Sequence, residues 1–390
     1  MLHVLMTTDV YHPLVSGVTR VVDVLIEELL KRNIKITLFA PAPQKEAFRF
    51  ESNGKINKVY LKSFPLLGLY RDLRSPEIFS AYISTKGRFE KFFETDENVI
   101  IHAHTPYITT TLLRWVGKSL QMSFPIVLTY HTLINVYTQQ RFGRWGKILE
   151  GLDKVFLTNV FKRSEVVITP SEYAKKVLVE YLPHSFRILS KKILKIPNPL
   201  SRENYRIPRK RASEYYDFLE DEYYAIFVGR ISHEKNIPFL LKIFRRLPYK
   251  IVFVGRGPLL ESFRRIAPKN AIFLGYVDDD VLDSLLFSAR CFVIANQFDT
   301  FSLAALEAMA HGTPVISYYM GGYNEYVIHR ENGFKFRTIE EARKYIRALF
   351  SDDDLYEQLK NGATKTAMKF HPDRVIPMYI ALYKKFSTII

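Results

Sequence analysis

Short apolar runs alternate along the chain with longer stretches in which apolar residues recur every three or four positions. Leu2–Thr7 is the first run, of strand length. A polar, proline-containing loop follows from Asp9 to Ser16, and then Gly17. Val18, Val21, Val22, Leu25, Ile26 and Leu29 then fall on one stripe at helical spacing, the mark of a helix that buries one face. Lys31 and Arg32 fall in its last turn, where cations suit the helix dipole. Ile36–Ala40 predicts a second strand, ended by Pro41. Strand, loop, helix and strand make a crossover unit, which favours a parallel sheet covered on both faces. Val99–Ala103, Ile126–Tyr130 and Val166–Thr169 predict further strands, with helical patterns between them.

Near Pro197-Asn198-Pro199 this pattern stops, and a polar, basic stretch through Arg211 reads as a linker or domain edge. It then restarts. Ala225–Val228, Ile251–Val254, Ala271–Leu274, Phe292–Ala295 and Pro314–Ser317 predict strands, several with a glycine just after the strand end. Helices are predicted from about Pro238, where Pro suits a first turn, and over about Ser302–His311. The C-terminal segment, about Asp373 to Phe386, is helical by pattern. The expected organisation is two α/β domains, each a doubly wound parallel sheet, over 1–200 and 201–370. Residues 371–390 are expected as a helix returning to the first domain. In such sheets ligands meet the carboxyl ends of the strands, and two such halves predict a cleft between them.

With 390 residues, 47% hydrophobic and 25% charged, the composition is globular and disfavours disorder and fibrous repeats. One cysteine, Cys291, excludes an intrachain disulfide framework and a multi-cysteine zinc site, which fits a reducing compartment. The opening residues are apolar too briefly for a signal peptide, with Asp9 interrupting them, and no apolar run approaches a membrane span. The net charge is +16 and uneven: residues 1–200 hold 28 Lys+Arg against 17 Asp+Glu, and residues 201–390 hold 28 against 23. Such an excess attracts polyanions or anionic lipid surfaces, and it also serves plain solubility.

Arg230 and Lys235, five positions apart just after a strand, are placed to converge on a diphosphate, Arg as a planar fork and Lys as a compact charge. A solvated basic loop is the alternative. Asp299 precedes a helix and Glu307 lies about two turns inside it. The N–H groups of Ser302, Leu303 and Ala304 would face outward at that helix start as an anion site, and Glu307 would accept from sugar hydroxyls. The alternative is that Asp299 caps the helix and Glu307 pairs with a surface cation. Asp278-Asp279-Asp280 follows a strand and opens a helix, so capping and the dipole explain it better than a metal. His102 and His104 alternate at a strand end, one expected inside and one facing the cleft. Gly255-Arg256-Gly257 is too short for a dinucleotide fingerprint.

Taken together, Asp299-x7-Glu307 with Ala308-Met309-Ala310-His311-Gly312-Thr313-Pro314-Val315, Val228-Gly229-Arg230, Lys235-Asn236 and Pro13-Leu14-Val15-Ser16-Gly17-Val18 resemble the retaining GT-B glycosyltransferases of family 4. The resemblance covers nearly the whole chain. His102–Pro106, Tyr130-His131-Thr132, Ile168–Glu172, Ile196-Pro197-Asn198 and Gly321–Glu325 also match. His102–Pro106 with Tyr130–Thr132 loosely resembles the branch acting on diacylglycerol and related lipids.

The resemblance implies a GT-B fold, two Rossmann-like domains facing across a cleft. It implies that Ser16 and Gly17 approach the donor diphosphate, and that Arg230 and Lys235 neutralise it as the sugar–oxygen bond breaks. It implies that Glu307 holds the ribose, that Tyr276 and Val277 meet the base, and that Ser302, Leu303 and Ala304 lie by the donor. Asp299 takes the first acidic position of the family's E-x7-E motif and is expected on the transferred sugar. His131 is expected near the sugar and the acceptor. Asp for Glu at 299, Ser16 for the first glycine of a pair, and Pro199 for glycine depart from the pattern.

The expected activity is a metal-independent, retaining hexosyl transfer from a nucleoside-diphosphate sugar, UDP-linked, with no cofactor. The favoured acceptor is a glycerolipid, and a peripheral place on the inner face of the cell membrane follows from that. Phe64–Tyr70, and Val136, Tyr137, Phe142 and Trp145 among Arg141, Arg144 and Lys147, are the stretches expected to meet lipid. Lys191-Lys192, Lys195, Arg202, Arg206 and Arg209–Arg211 form a basic belt that suits either a linker or a lipid-facing patch. Alternatives are transfer to a soluble sugar or polysaccharide, and a nucleotide-sugar epimerase on the same fold. The non-enzyme alternative, a nucleic-acid-binding protein, lacks the aromatic residues that should interleave the basic belt.

Overall fold

The computed structural model describes residues 1–42, 49–52, 56–65, 74–87, 98–131, 144–182, 190–220 and 223–389. Two units emerge: Met1–Pro199 with Pro372–Ile390, and Leu200–His371.

Unit 1 contains β1 (Leu2–Thr7), α1 (Gly17–Leu30), β2 (Lys35–Pro41), β3 (Arg49–Ser52), β4 (Ile56–Leu61), β5 (Ser63–Pro65), β6 (Arg74–Pro76) and α2 (Ile78–Lys86). It continues with β7 (Asn98–Ala103), α3 (Ile108–Ser119), β8 (Ile126–Thr129), α4 (Arg144–Arg163), β9 (Val166–Thr169), α5 (Glu172–Tyr181) and β10 (Ile193–Lys195). The sheet order is β10-β9-β8-β7-β1-β2-β4-β3, parallel except for β3. Strand order runs one way from β1 through β2 and the other way from β7, so it reverses between β1 and β7. The first predicted helix ends at Leu30, so Lys31 and Arg32 lie past it. Arg32 still serves the helix end, donating to the Glu28 carbonyl at 2.8 Å.

Unit 2 contains β11 (Tyr224–Val228), α6 (Ile237–Phe244), β12 (Lys250–Val254), α7 (Leu260–Ile266), β13 (Ala271–Gly275) and α8 (Asp279–Ser288). After these come β14 (Cys291–Ile294), α9 (Leu303–Ala310), β15 (Val315–Tyr318), β16 (Gly333–Phe336), α10 (Ile339–Ser351) and α11 (Asp353–Ala367). Its parallel sheet has the order β13-β12-β11-β14-β15-β16 and reverses between β11 and β14. The two strands at the reversal, β11 and β14, are apolar at every position because successive side chains feed two layers. Ile226 and Val252 join Leu306 and Met309 on one face, while Phe227 and Phe253 join Leu240 and Phe244 on the other.

The stretch after Pro199, which reads as a linker, is packed. Leu200, Ala212 and Leu219 are buried in the core of unit 2, and the Tyr205 hydroxyl donates to the Ala367 carbonyl at 2.8 Å. Beyond it, α12 (Pro372–Phe386) and β17 (Thr388–Ile389) belong to unit 1. Arg32 pairs with Asp373 at 2.9 Å, β17 adds antiparallel to β7, and the Tyr383 hydroxyl meets His102 Nδ1 at 2.7 Å.

Candidate functional site

In unit 2 Arg230, Lys235 and Asp299 follow the carboxyl ends of β11 and β14, where the strand order reverses and doubly wound sheets bind ligands. The chain leaves β11 through Gly229, whose N–H donates to the Val254 carbonyl at 3.0 Å. The loop after β12 presses against it. A Cβ on Gly255 (φ +131°) would sit 2.0 Å from the Gly229 oxygen, and one on Gly257 would sit 2.1 Å from the Ile231 oxygen. Only glycine allows these two backbones so close, which explains the two glycines around Arg256. Arg230 follows Gly229 and is half-buried. Lys235 closes a single 3-10 turn, His233–Lys235, and its stem passes 3.9 Å from the place of a Cβ on Gly229.

Lys235 Nζ lies 2.9 Å from Asp299 Oδ2, with both side chains largely buried. Asp299 Oδ1 accepts from the N–H of Ser302 at 2.7 Å and of Phe301 at 3.2 Å, and Asn296 Nδ2 reaches Oδ2 at 3.4 Å. Burial alone pushes the Asp299 carboxyl up. The Lys235 ammonium and the two N–H groups outweigh it and hold the pKa below its ordinary 3.8. Ser302 takes a left-handed conformation (φ +62°) at the cap of α9. The Tyr326 hydroxyl, within 2.8 and 2.7 Å of the Phe301 and Ser302 carbonyls, holds that turn from below. The Gly322 N–H donates to the Asp299 carbonyl at 2.7 Å and the Tyr323 hydroxyl to the Asn296 carbonyl at 2.5 Å.

The N–H of Ser302, expected to face outward, is therefore already taken by Asp299. The outward donors left at this end are those of Leu303 and Ala304, which have no acceptor within their own helix. Glu307 is buried one turn further along α9. Tyr276 and Val277 follow β13, two strand spacings or roughly 10 Å from β11. Val277 packs on the core, while the Tyr276 ring is half exposed, with the Arg256 guanidinium 5.5 Å from its centre.

The reversal in unit 1 is built from hydroxyls and imidazoles. Asp9, just past β1, is buried. It accepts from the Thr105 hydroxyl at 2.6 Å and from both the N–H (2.9 Å) and the hydroxyl (2.6 Å) of Thr109. It thereby caps α3, whose own N-cap residue Tyr107 makes no side-chain cap. Burial raises the Asp9 pKa, since hydroxyls and one N–H compensate the charge less than a cation does. His104 Nδ1 lies 3.0 Å from His131 Nε2, and His102 Nε2 meets the Thr129 hydroxyl at 2.7 Å. His102 and His104 are both buried. Burial lowers His102 to about 3 and His131 to about 4, and brings His104 well down, so all three are neutral at pH 7. Ser16 spends its hydroxyl on the Thr19 N–H at 3.2 Å, and Gly17 is the exposed first residue of α1.

Residues 15–203 match the family model described as Glycosyltransferase Family 4, and residues 209–366 match the one described as Glycosyl transferases group 1. The chain belongs to the GT-B glycosyltransferases. It is 26% identical to an alpha-monoglucosyldiacylglycerol synthase of Streptococcus pneumoniae, over 95% of this chain and 85% of that protein. It is also 26% identical to the sulfoquinovosyl transferase SQD2 of Arabidopsis thaliana over 70% of this chain, which spans 53% of that protein's length. The fold matches sucrose-phosphate synthase of Thermosynechococcus elongatus, with a TM-score of 0.77, 20% identity and 99% of each chain covered.

Within this glycosyltransferase the sequence pattern misses the residues that hold the site without a charge of their own. Asn296 and Tyr326 fall outside the matching motifs, and Tyr323 lies within Gly321–Glu325 without an assigned role, yet they lock the Asp299 turn. Asn236 follows Lys235 in a left-handed conformation, which Asn tolerates well. The shorter acid at 299 also has a local reason: an Asp side chain reaches the N–H two and three residues on, as Glu does less readily. Asp278 makes no side-chain cap bond, while Asp279 and Asp280 lie in the first turn of α8, where the dipole favours them. Among the described residues no three His, Cys, Asp or Glu converge as metal ligands, and no helix is long and apolar enough to cross a membrane. Residues 66–70, Val136, Tyr137, Arg141, Phe142 and the side chains of Arg144, Trp145 and Lys147 lie outside the described residues.

Proposed function

We propose that the chain transfers a hexosyl group, with retention, from a UDP-linked sugar to a hydroxyl of a glycerolipid. The observation that carries this reading is the Lys235–Asp299–Ser302 lattice, which fixes one ammonium by the start of α9 at the reversal of a doubly wound sheet. A diphosphate fits that set, because Lys and Arg neutralise the charge that grows on the leaving oxygen. Glu307 takes the ribose hydroxyls and Tyr276 the base.

In the reaction the acceptor oxygen bonds to the anomeric carbon as the bond from that carbon to the diphosphate breaks. The electron pair leaves with the diphosphate, and the acceptor proton passes to a leaving phosphate oxygen. No enzymatic nucleophile and no metal is used. Asp299 is a positioning residue that holds Lys235, and the long Asn296 contact is the one a sugar hydroxyl would replace. Ser16 and Gly17 approach the diphosphate, and neutral His131 serves the sugar and the acceptor.

Two supports favour a lipid acceptor. The Streptococcus pneumoniae relative is named for diacylglycerol glycosylation. Ile148, Leu152 and Val155 of α4, spaced four and three apart, are 56%, 53% and 64% exposed, and Lys162 continues the same stripe. An apolar stripe with flanking cations suits a membrane surface on the cytoplasmic side. The test is product analysis with UDP-glucose and diacylglycerol in vesicles, with and without EDTA. An alpha-linked glycolipid formed equally in both is expected. Donor consumed without acceptor, or activity restored only by a divalent ion, would contradict the reading.

A further inference from the structure

At the opposite, amino-terminal edge of the unit 1 sheet lies a second pocket, of about 620 Å³. It opens where β8, β9 and β10 begin, beside Ile126, Glu165 and Lys192. Five positions along β8 and the two residues beyond it separate Ile126 at this edge from His131, about 16 Å of extended chain. The pocket is therefore separate from the His131 end of the same sheet.

Its lining is strongly basic. Arg114 comes from α3, Lys162 and Arg163 from the end of α4, and Lys192 from just before β10, with Glu165 as the one carboxylate. Some of this charge is used locally: Lys192 donates to the Ser164 carbonyl at 3.1 Å and Arg163 to the Asn159 carbonyl at 3.0 Å. Those contacts are to neutral carbonyls and leave the positive charge uncompensated. Arg114 is half-buried and makes no hydrogen bond or ion pair with a described residue. Burial first, and the nearby Arg163 second, weaken its hold on its proton. Two guanidinium groups facing one cavity repel, and a fold that keeps them there without a carboxylate for each is short of an anion.

We propose that this pocket binds a phosphate-bearing anion through Arg114, Arg163 and Lys192, at the end of the unit 1 sheet opposite His131. Planar guanidinium forks match phosphate oxygens in pairs, and Lys adds a compact charge. A free phosphate monoester and the diester of an anionic lipid headgroup share this chemistry.

The experiment uses the full chain and two probes, inorganic phosphate and phosphatidylglycerol vesicles, with phosphatidylcholine vesicles as the neutral control. Thermal shift follows phosphate, and sedimentation follows vesicles. Variants are Arg114→Gln, Arg163→Gln and, because the donor site also attracts phosphate, Lys235→Gln. A phosphate-dependent stabilisation that survives Lys235→Gln and weakens at least tenfold in Arg114→Gln and Arg163→Gln establishes a site for free phosphate. Pelleting with phosphatidylglycerol alone, reduced at least tenfold by the same two variants, establishes a headgroup site. Arg114→Gln should also raise the melting temperature in anion-free buffer, because it removes the repulsion. The proposal is overturned if Lys235→Gln abolishes all phosphate binding, or if both arginine variants bind both probes like the parent.

Discussion

The two sheet reversals follow the same topology and hold opposite chemistry. In unit 2 a carboxylate, Asp299, faces an ammonium and two N–H groups, and its pKa falls. In unit 1 the carboxylate beside the reversal, Asp9, follows the first strand β1 rather than the strand across the reversal, faces hydroxyls and one N–H, and its pKa rises. The first arrangement fixes a cation at the reversal, the place proposed above for a diphosphate. The second fixes a turn and a helix start, and leaves three neutral imidazoles beside it. Carboxylates beside the two reversals thus differ through what faces them, an ammonium in one unit and uncharged hydroxyls in the other.

Removing the cation is the strongest way to break this contrast. Lys235→Ala should lower kcat/KM by about 10³-fold and Arg230→Ala by about 10²-fold, in the range expected when charge stabilisation of a transition state is lost. Steady-state kinetics with UDP-glucose measures both, and near-normal rates would remove these residues from the diphosphate.

Asp299→Asn should cost about tenfold to a hundredfold, because Lys235 loses its anchor while the turn bonds to Ser302 and Phe301 can persist. The depressed pKa of Asp299 gives stability that is present above its unfolded value of 3.8 and is lost as pH falls through the folded value. Acid unfolding of the parent, compared with Asp299→Asn below pH 3.8, should show that loss in the parent only.

The imidazoles respond at higher pH. His102 and His131 have folded pKa values of about 3 and about 4. They therefore stabilise the fold above the unfolded value of 6.5, and that contribution shrinks as pH falls from 6.5 towards 4. Denaturant titrations at pH 7 and pH 5 should show a loss that becomes smaller in His131→Gln. The same variant should retain diphosphate affinity while lowering kcat.

Asp9→Asn should have the smallest effect, within about 1 kcal/mol at pH 7, because it removes a buried charge while keeping an acceptor for Thr109. Asp9→Ala removes the α3 cap and should cost about 1–2 kcal/mol. Equal, large losses in both variants would show that the Asp9 charge itself matters, and the contrast between the units would weaken.

Much of this was legible in the pattern of residues. The strands at Leu2–Thr7 and Val166–Thr169 lie where the apolar runs predict, and the other central strands differ by a residue or two, because strands buried on both faces announce themselves. Three of the four edge strands were not legible: Arg49–Ser52 and Ile193–Lys195 are short and half polar, and Gly333–Phe336 opens on a glycine packed against the Val315 carbonyl. In the site, charged residues with motif spacing stood out, whereas Asn296, Tyr326 and Asp9 act through hydrogen bonds whose partners come from distant segments. The Ser302 N–H was misjudged for a related reason, since a helix start shows free donors only if no nearby Asp turns back to take them.

The most direct measurement is calorimetric titration of UDP, and of uridine as the phosphate-free control, into the parent protein and Lys235→Gln. Expected is a loss of at least tenfold in UDP affinity with uridine affinity unchanged, since one charge-assisted contact is worth about 1.5–3 kcal/mol. UDP binding equally well to both proteins would contradict a diphosphate seat at the junction of β11 and β14.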